Sequence, residues 1–303
     1  MRKPTPLPLP LPPLALALLA ALALVPAFAA TPIDERRELD ARGRIEVSNL
    51  KGRVQIRAWD RPEVRISGSL GEGVERLQVE GDRRSLEVKV RYPHNSNRAE
   101  PTTLVIDVPQ LAEVEVDGVS TDIDVQGVAG RTLVIGSVSG GVVAVGAPRK
   151  ADISSVSGDL RLNLNSQDVD MESVSGAIAL RGRIGGEIKA ETVSGDIRID
   201  TRGEPARRLD TSSVSGNASY AGGLAAGGRI NVESVSGNIH LSLPRSLSAR
   251  VRGESFSGRL SAPQARIDRP RYGPGASFEH TYGEGAGEVR IETFSGNAEL
   301  ALE

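Results

Sequence analysis

Apolar and polar residues alternate on both sides of a short Ser-Val-Ser-Gly turn in the C-terminal two thirds of the chain. In residues 230–234 every second residue is apolar or a small hydroxyl, and in residues 239–243 every second residue is apolar. A period of two is that of a β-strand with one buried face. The pattern therefore predicts two strands that meet at a corner, with Ile, Val, Leu and small hydroxyl side chains on the inward face.

The tetrapeptide Ser/Thr-Val/Phe-Ser-Gly occurs eight times, and the steps between first residues are 18, 18, 19, 21, 21, 21 and 38. A period near 20 with strand residues around each copy indicates stacked units rather than one conventional core. The sequence thus predicts an all-β chain, folded as a parallel β-solenoid (β-helix) with coils of 18–21 residues. The predicted structural repeat corners are Gly140, Gly158, Gly176, Gly195, Gly216, Gly237, Gly258 and Gly296.

Stacking would place each motif position in a column along the stack. The first position, Ser or Thr, is predicted to face inward, because a small side chain lets neighbouring coils approach at the usual strand spacing of about 4.8 Å. The glycine is predicted to supply the backbone freedom that a corner requires. The sequence does not assign the facing of the Val or Phe position, since the corner interrupts the alternation.

The chain divides into three predicted regions. Residues 1–29 form a signal peptide, residues 30–112 an N-terminal β-strand cap, and residues 113–303 the solenoid repeats. Two degenerate copies of the pattern lie upstream, in residues 45–56 and 114–125. The last step of 38 residues indicates an irregular loop at residues 263–287, which contains three prolines and several glycines.

That loop also concentrates aromatic and imidazole side chains in a chain with only 3% aromatic residues: Tyr272, Phe278, His280 and Tyr282. On an irregular loop such side chains could stack on a sugar or a protein partner. The favoured interpretation is that they cover the end of the stack, and partner binding by these four residues is the alternative.

The N-terminus has the three parts of a secretory signal. Basic Arg2 and Lys3 precede a 12-residue apolar run, Leu14 to Val25, and the small-large-small sequence Ala27-Phe28-Ala29 follows it. The run is short against the roughly 20 apolar residues of a spanning helix. No later segment is apolar enough to cross a bilayer, so we expect an exported protein, periplasmic or extracellular at the cell surface, with no integral membrane segment after cleavage.

Composition narrows the classes of partner. The chain has no cysteine, which excludes disulfides and thiolate sites. Its 37 basic and 39 acidic side chains are interspersed without the basic stripe of nucleic-acid binders, so nucleic acid is not expected as a partner.

No catalytic, cofactor-binding or metal-binding residues are predicted. Asp159 and Asp196 occupy equivalent corner positions and are interpreted as turn residues, while His94, His240 and His280 are scattered along the sequence. A calcium site of the glycine-rich nonapeptide type is disfavoured, because each repeat has one glycine and an Asp that is often replaced. An ice-binding face is disfavoured further, since the corner interrupts the hydroxyl columns.

The chain resembles the DUF4097 family, the group of exported β-strand repeat proteins labelled putative adhesins. The resemblance rests on the Ser-Val-Ser-Gly-Asp/Asn-Ile repeats, on residues 45–56 with Trp59-Asp60 after them, on residues 104–109, and on residues 283–296. It implies a β-solenoid in the bacterial envelope or on the cell surface, and the family supplies no catalytic residues. Gly141, Ala177 and Arg259 depart from the pattern, because each replaces the Asp or Asn after Ser-Gly.

The sequence therefore predicts an exported, non-catalytic structural, adhesin-like or envelope-associated binding module, with a glycan or an envelope or surface protein as partner. Every recurring residue has a structural role in this interpretation. The alternative is a carbohydrate-active enzyme, a polysaccharide lyase or hydrolase, because β-helices also host such enzymes. Fold analogy alone does not carry that alternative.

Overall fold

A computed structural model describes residues 31–94, 99–272 and 274–303 of the chain. The predicted signal peptide, residues 1–29, lies outside the described residues, as does Gly273 in the predicted loop. The described residues form 22 β-strands and no helix, which confirms the predicted all-β class.

The strands of the N-terminal half are β1 Thr31–Glu38, β2 Arg44–Trp59, β3 Glu63–Leu70, β4 Arg76–Gly81, β5 Ser85–Arg91, β6 Thr102–Pro109, β7 Glu113–Gln126, β8 Thr132–Ser137, β9 Val142–Gly146, β10 Lys150–Ser155 and β11 Leu160–Leu164. Those of the C-terminal half are β12 Asp168–Ser173, β13 Ile178–Arg181, β14 Glu187–Ser194, β15 Ile197–Ser215, β16 Ala218–Ser236, β17 Ile239–Leu243, β18 Ala249–Ser255, β19 Leu260–Ser261, β20 Ala276–Tyr282, β21 Gly287–Thr293 and β22 Ala298–Leu302.

Most strands belong to two parallel ladders, which we name after their position relative to the corner. Ladder A holds the segment before each corner, in the spatial order β5, β2, β7, β8, β10, β12, β14, β15, β16, β21, β18. Ladder B holds the segment after each corner, in the order β6, β2, β7, β9, β11, β13, β15, β16, β17, β22, β19. A ladder A segment and the ladder B segment that continues its chain form one layer.

The register of the ladders aligns the motif copies. Ser155 pairs with Ser137 on one side and with Ser173 on the other, and Thr192 follows Ser173 in the next layer. Each motif position therefore forms a column. A register shift of one residue would turn the apolar side chains outward. The observed pairing instead aligns the apolar positions of neighbouring strands on the inward face, as the alternation of the sequence predicts.

One cluster of buried apolar side chains runs through all layers. In ladder A it contains residues such as Leu133, Ile153 and Val169, and in ladder B residues such as Leu162 and Leu180. These are the alternating positions of the sequence, so the predicted inward face is the buried one.

Antiparallel strands extend both ladders at the N-terminal end and ladder A at the C-terminal end. At the N-terminal end β4 pairs with β5, β3 pairs with β6, and β1 pairs with β3. At the other end β20 pairs with β18. Residues 30–112 thus contain strands that cover an open edge, and also β2, β5 and β6, which belong to the ladders themselves. Covering an edge strand removes a template for aggregation.

The segment 263–287, expected to be an irregular loop, contains the regular strand β20. Its buried residues Ala276, Phe278 and Tyr282 lie along the edge of β18. The ring of Phe278 occupies the space over Gly253, where a Cβ atom would collide with it. The missing side chain of a glycine on another strand thus creates the site for this aromatic ring.

The spatial order of the last layers differs from their order in the sequence. β21 lies between β16 and β18 in ladder A, and β22 lies between β17 and β19 in ladder B. The layer formed by residues 287–302 is therefore inserted between two layers that precede it in the chain.

Candidate binding groove on the outer face of the corner

The first two motif positions lie in opposite environments. Ser234 is 5% exposed and faces the interior, whereas its neighbour Val235 is 51% exposed. The same holds in every copy, so the structure assigns the Val or Phe column to the outer surface. We name this column the ridge: Val119, Val138, Val156, Val174, Val193, Val214, Val235, Phe294 and Phe256, in spatial order.

The ridge ends in two stacked rings. The centroids of Phe256 and Phe294 are 4.7 Å apart and the ring planes differ by 5°. The two residues are 38 positions apart in the sequence, and they become neighbours only because β21 is inserted beside β18. Both rings remain about half exposed and form the largest apolar part of the ridge.

A column of carboxylates runs beside the ridge. It occupies the outward position two residues before each ridge residue, and six of the nine layers have a carboxylate there: Asp117, Glu172, Glu191, Glu233, Glu292 and Glu254. In the other three layers this position holds Gly136, Ser154 and Ser212. On one strand the two outward columns are about 7 Å apart. The outer face of the corner thus presents apolar and acidic side chains in parallel rows.

The two rows border a groove of about 720 Å³ at the C-terminal end of the stack. Its apolar lining includes Val214, Val235 and the two phenylalanines, and its acidic lining is Glu233, Glu254 and Glu292. Pro270 and residues 275–277 line it as well. A concave apolar surface with a few charged groups is the usual form of a binding site.

Arg290 is the one basic residue among those that line this groove. Its Nε donates a hydrogen bond of 2.5 Å to Oε1 of Glu292. This hydrogen bond is the largest cause that raises the pKa of Arg290, and the carboxylate of Glu292 offsets the charge of the guanidinium. The carboxylates of Glu233 and Glu254 then dominate the charge of the groove.

The opposite side of the corner carries a ladder of Asp and Asn side chains, distinct from the strand ladders A and B. Oδ1 of Asp196 accepts hydrogen bonds from the backbone N–H and the side-chain amide of Asn217, at 3.0 and 3.1 Å. Asn217 and Asn238 repeat this bond to the next layer. The backbone hydrogen bond is the main cause that lowers the pKa of Asp196. Asp159 likewise accepts from the backbone N–H of Ala177.

This ladder explains the departures at Gly141, Ala177 and Arg259. Each of these residues donates its backbone N–H to a side-chain oxygen of the layer below, from Asp122, Asp159 and Asn297 respectively. Any residue except proline can donate this bond, because it comes from the backbone. The turn residues of the sequence analysis are therefore also links between layers.

The corner glycines are needed for a reason other than the predicted one. Of the eight, only Gly140 has a positive φ, and its value of 159° is close to the extended region. A Cβ atom on Gly237 would instead collide with the carbonyl oxygen of Gly216, and one on Gly296 with that of Gly237. Close approach between layers, rather than backbone freedom, excludes a side chain here.

A second concave surface of about 740 Å³ lies on the outer face of ladder B. Val143, Val145 and Ala179 line it together with Arg161 and Arg198. Each arginine is paired with the aspartate two residues before it, Asp159 or Asp196. Because these cations are already paired, the surface offers little free charge to a ligand.

The four aromatic and imidazole residues singled out in the sequence do not form one site. Phe278 and Tyr282 are 4% and 6% exposed and pack at the end of ladder A, so they are not available to a partner. His280 contacts the Tyr282 ring edge-on at 4.6 Å. Tyr272 is 85% exposed and its ring faces the guanidinium of Arg271 at 5.8 Å.

Sequence reasoning missed the ridge and its phenylalanine pair. The signal was the second motif position, which is always Val or Phe, but its facing depends on the path of the chain through the corner. Within residues 31–94, 99–272 and 274–303, no group of three or more His, Asp or Glu side chains is placed to hold a metal ion. The same residues contain no helix long and apolar enough to cross a membrane.

Residues 41–222 match the family described as Toastrack DUF4097. The chain belongs to the DUF4097 family. The match spans more than half of the sequence and covers β2 to β15 together with the first strand segment of β16. The resemblance inferred from the repeats and the N-terminal stretch is thereby confirmed. No curated protein matches the sequence at a significant level.

Two solved structures are among those similar to this chain. A Parabacteroides distasonis protein named a putative lipid binding protein is 14% identical, with a TM-score of 0.51 over 88% of this chain and 96% of that one. A Bacteroides fragilis protein named a putative adhesin is 12% identical, with a TM-score of 0.47 over 91% and 98%. At these identities the likeness concerns the fold.

Proposed function

We propose that this DUF4097 protein is an exported, non-catalytic β-solenoid that acts as an adhesin-like or envelope-associated binding module. Two parallel ladders whose registers advance by 18–21 residues support the solenoid. The signal-like residues 1–29 support export. Its partner is a glycan or an envelope or surface protein.

The observation that carries the binding function is the ridge. Each of its side chains is 42–56% exposed, although the same strands bury their other apolar residues almost completely. Aligned apolar side chains on the surface of a folded protein commonly mark an interaction site. Stability alone gives no reason for an apolar residue at nine successive corners, because a polar side chain would be solvated there.

The groove at the end of the ridge is the proposed contact site. The stacked rings of Phe256 and Phe294 leave apolar ring carbons exposed, against which the apolar face of a sugar ring or an aliphatic side chain can pack. Glu233 and Glu254 beside them can accept hydrogen bonds from hydroxyl or amino groups of the partner. The apolar ridge and the carboxylates beside it together favour partners that have an apolar face with hydrogen-bond donors next to it.

A binding screen of the mature protein from Ala30 tests the proposal. The panel contains envelope glycans, purified surface proteins and lipid vesicles, since one structural neighbour is named a putative lipid binding protein. We expect binding that weakens at least about ten-fold in the double variant Val235→Ser, Phe294→Ser, because each removes roughly 1 kcal/mol or more of apolar contact.

The matched control is Val145→Ser, which changes an exposed valine on ladder B, away from the ridge. It should bind as the wild type does. Equal loss in both variants would contradict the ridge as the contact site. Product analysis accompanies every binder: shortened or unsaturated oligosaccharides would instead establish the alternative, a carbohydrate-active enzyme.

A further inference from the structure

The last described layer, β21 and β22, is held between two layers that precede it in the chain. On one face β21 pairs with residues 229–234 of β16, and on the other with β18 over the whole of Ala249–Ser255. We name the position between β16 and β18 the slot. It is filled by β21, a strand that is not the next one after β16 in the sequence. In this protein the strand comes from the same chain.

The slot accepts a layer by the same contacts that join sequential layers. Asn238 Oδ1 accepts the backbone N–H of Asn297 at 3.1 Å, and Asn297 Oδ1 accepts that of Arg259 at 3.1 Å. The corner Gly296 fits against the carbonyl of Gly237, where a side chain would collide. Both faces of the slot are thus specific for a motif-bearing layer, which every copy of this chain possesses.

A second strand, β20, pairs with the edge of β18 that β21 leaves free. β20 pairs antiparallel with β18 over Ala276–Tyr282, and β21 pairs parallel with it on the opposite edge. Residues 276–303 therefore act as one unit, which we name the clasp. Of the three strands of the clasp, β20 and β21 lie on either side of β18, and β22 belongs to ladder B.

A long connection delivers the clasp. Residues 262–275 separate β19 from β20, and most of their described side chains are exposed. Ala265 and Ile267 pack against the core, and Asp268 pairs with Ser277 of β20. When partial unfolding releases these contacts, fourteen residues can span about 45 Å. The linker is thus long enough to carry the clasp to the corresponding slot of a neighbouring molecule. Exchange of an identical element across a hinge is a low-cost route to a dimer, because the contacts formed are those already present.

We propose that the clasp is exchangeable, and that two copies of the chain assemble by placing their clasps reciprocally in each other's slots. The interaction surface is the pair of edges offered by β16–β17 and β18–β19, and the partner is residues 276–303 of a second copy. Exchange buries no new surface except near the linkers, so its population rises with protein concentration and after partial unfolding.

The absence of cysteine makes the exchange measurable on the full chain. Glu233 of β16 and Glu292 of β21 are register partners with outward side chains. Neighbouring strands bring their Cα atoms to about 4.8 Å, within the range of a disulfide. A Glu233→Cys copy and a Glu292→Cys copy can therefore form a disulfide with each other when the clasp of the second occupies the slot of the first.

The two single variants are mixed at high concentration, partly unfolded in denaturant, refolded and oxidised, then separated by non-reducing electrophoresis and size exclusion. We expect a covalent heterodimer in at least ten-fold excess over the matched mixture of Glu172→Cys with Glu292→Cys. Glu172 lies in the same outward column, but its register neighbours are Ser154 and Glu191.

Two results would overturn the proposal. Equal yields in the two mixtures would show that the disulfides arise from random encounters. Homodimers of Glu292→Cys as abundant as the heterodimer would show that the outer faces of two copies meet without exchange. The double variant Glu233→Cys, Glu292→Cys forms its disulfide within one chain when no exchange occurs, and so confirms that the strand pair is competent.

Discussion

The inner and outer sides of each corner distribute polar and apolar groups in the reverse of the usual way. Thr192, Ser213 and Ser234 are at most 5% exposed, whereas Val193, Val214 and Val235 beside them are 48–51% exposed. Inside, the turn of the chain limits the size of the side chain, because the hydroxyl lies against the corner glycine: Oγ of Ser155 is 3.1 Å from the position that a Cβ atom on Gly158 would take. Outside, no such limit acts. The inner column is thus selected by packing, and the outer column by a requirement that packing does not supply.

The inner side also tolerates imperfect hydrogen bonding. Oγ of Ser155 and of Ser173 accept the N–H of the glycine three residues later, both at 2.9 Å. Within the described chain the hydroxyls of Thr192, Ser213 and Ser234 have no hydrogen-bond partner. Small size is therefore the property that all members of the column share, and hydrogen bonding is secondary.

The largest effect is expected from a charge placed on the inner side of the corner. Val232→Asp buries a carboxylate at a position 1% exposed, and we expect a loss of about 3–5 kcal/mol in unfolding free energy. The neighbouring outward change Glu233→Lys should cost less than about 0.5 kcal/mol. Denaturant titration followed by circular dichroism measures both. A Val232→Asp protein that unfolds at the wild-type midpoint would show that the inner face is wrongly assigned.

The second test concerns the distance between layers. Gly237→Val forces a side chain against the carbonyl oxygen of Gly216, and separating two layers should cost about 3 kcal/mol. Asn238→Ala at the next residue removes one acceptor from the ladder between layers, at a cost of about 1 kcal/mol. Thermal unfolding compares the two variants. Similar melting temperatures would contradict close approach as the role of the glycine.

The finest test separates size from hydrogen bonding within the inner column. Ser155→Ala leaves the N–H of Gly158 without its acceptor and should destabilise by about 1 kcal/mol. Ser213→Ala removes a hydroxyl without a partner among the described residues, and should lie within about 0.5 kcal/mol of the wild type. Both are measured by chemical denaturation. Equal losses would mean that both hydroxyls make the same contribution.

Much of the fold was predictable because each repeat reports its own local structure. The period of two in residues 230–234 and 239–243 identified strands and their buried faces, and the recurrence of the motif identified stacked layers. The same phase in residues 45–56 and 114–125 led to β2 and β7, which do pair in register. The strands and their buried faces could be inferred because each depends only on residues that are close together in the sequence.

The candidate site was not predictable from the same information. The aromatic residues of segment 263–287 stood out by composition, yet two of them, Phe278 and Tyr282, are buried side chains of β20. Phe256 and Phe294 looked like ordinary variants of the motif. They form a stacked pair only because the layer of residues 287–302 is inserted beside β18, a pairing that alternation does not encode.

Local alternation was enough to identify the strands, the inward columns and the positions of the small corner residues, since each can be recognised from neighbours in the sequence. Tertiary structure decided the order of the layers at both ends, the outward facing of the ridge and the true role of the corner glycines. Those features depend on which distant segments become neighbours. Strand pairing is satisfied equally well by any layer with the motif, so only the connections between strands select one order.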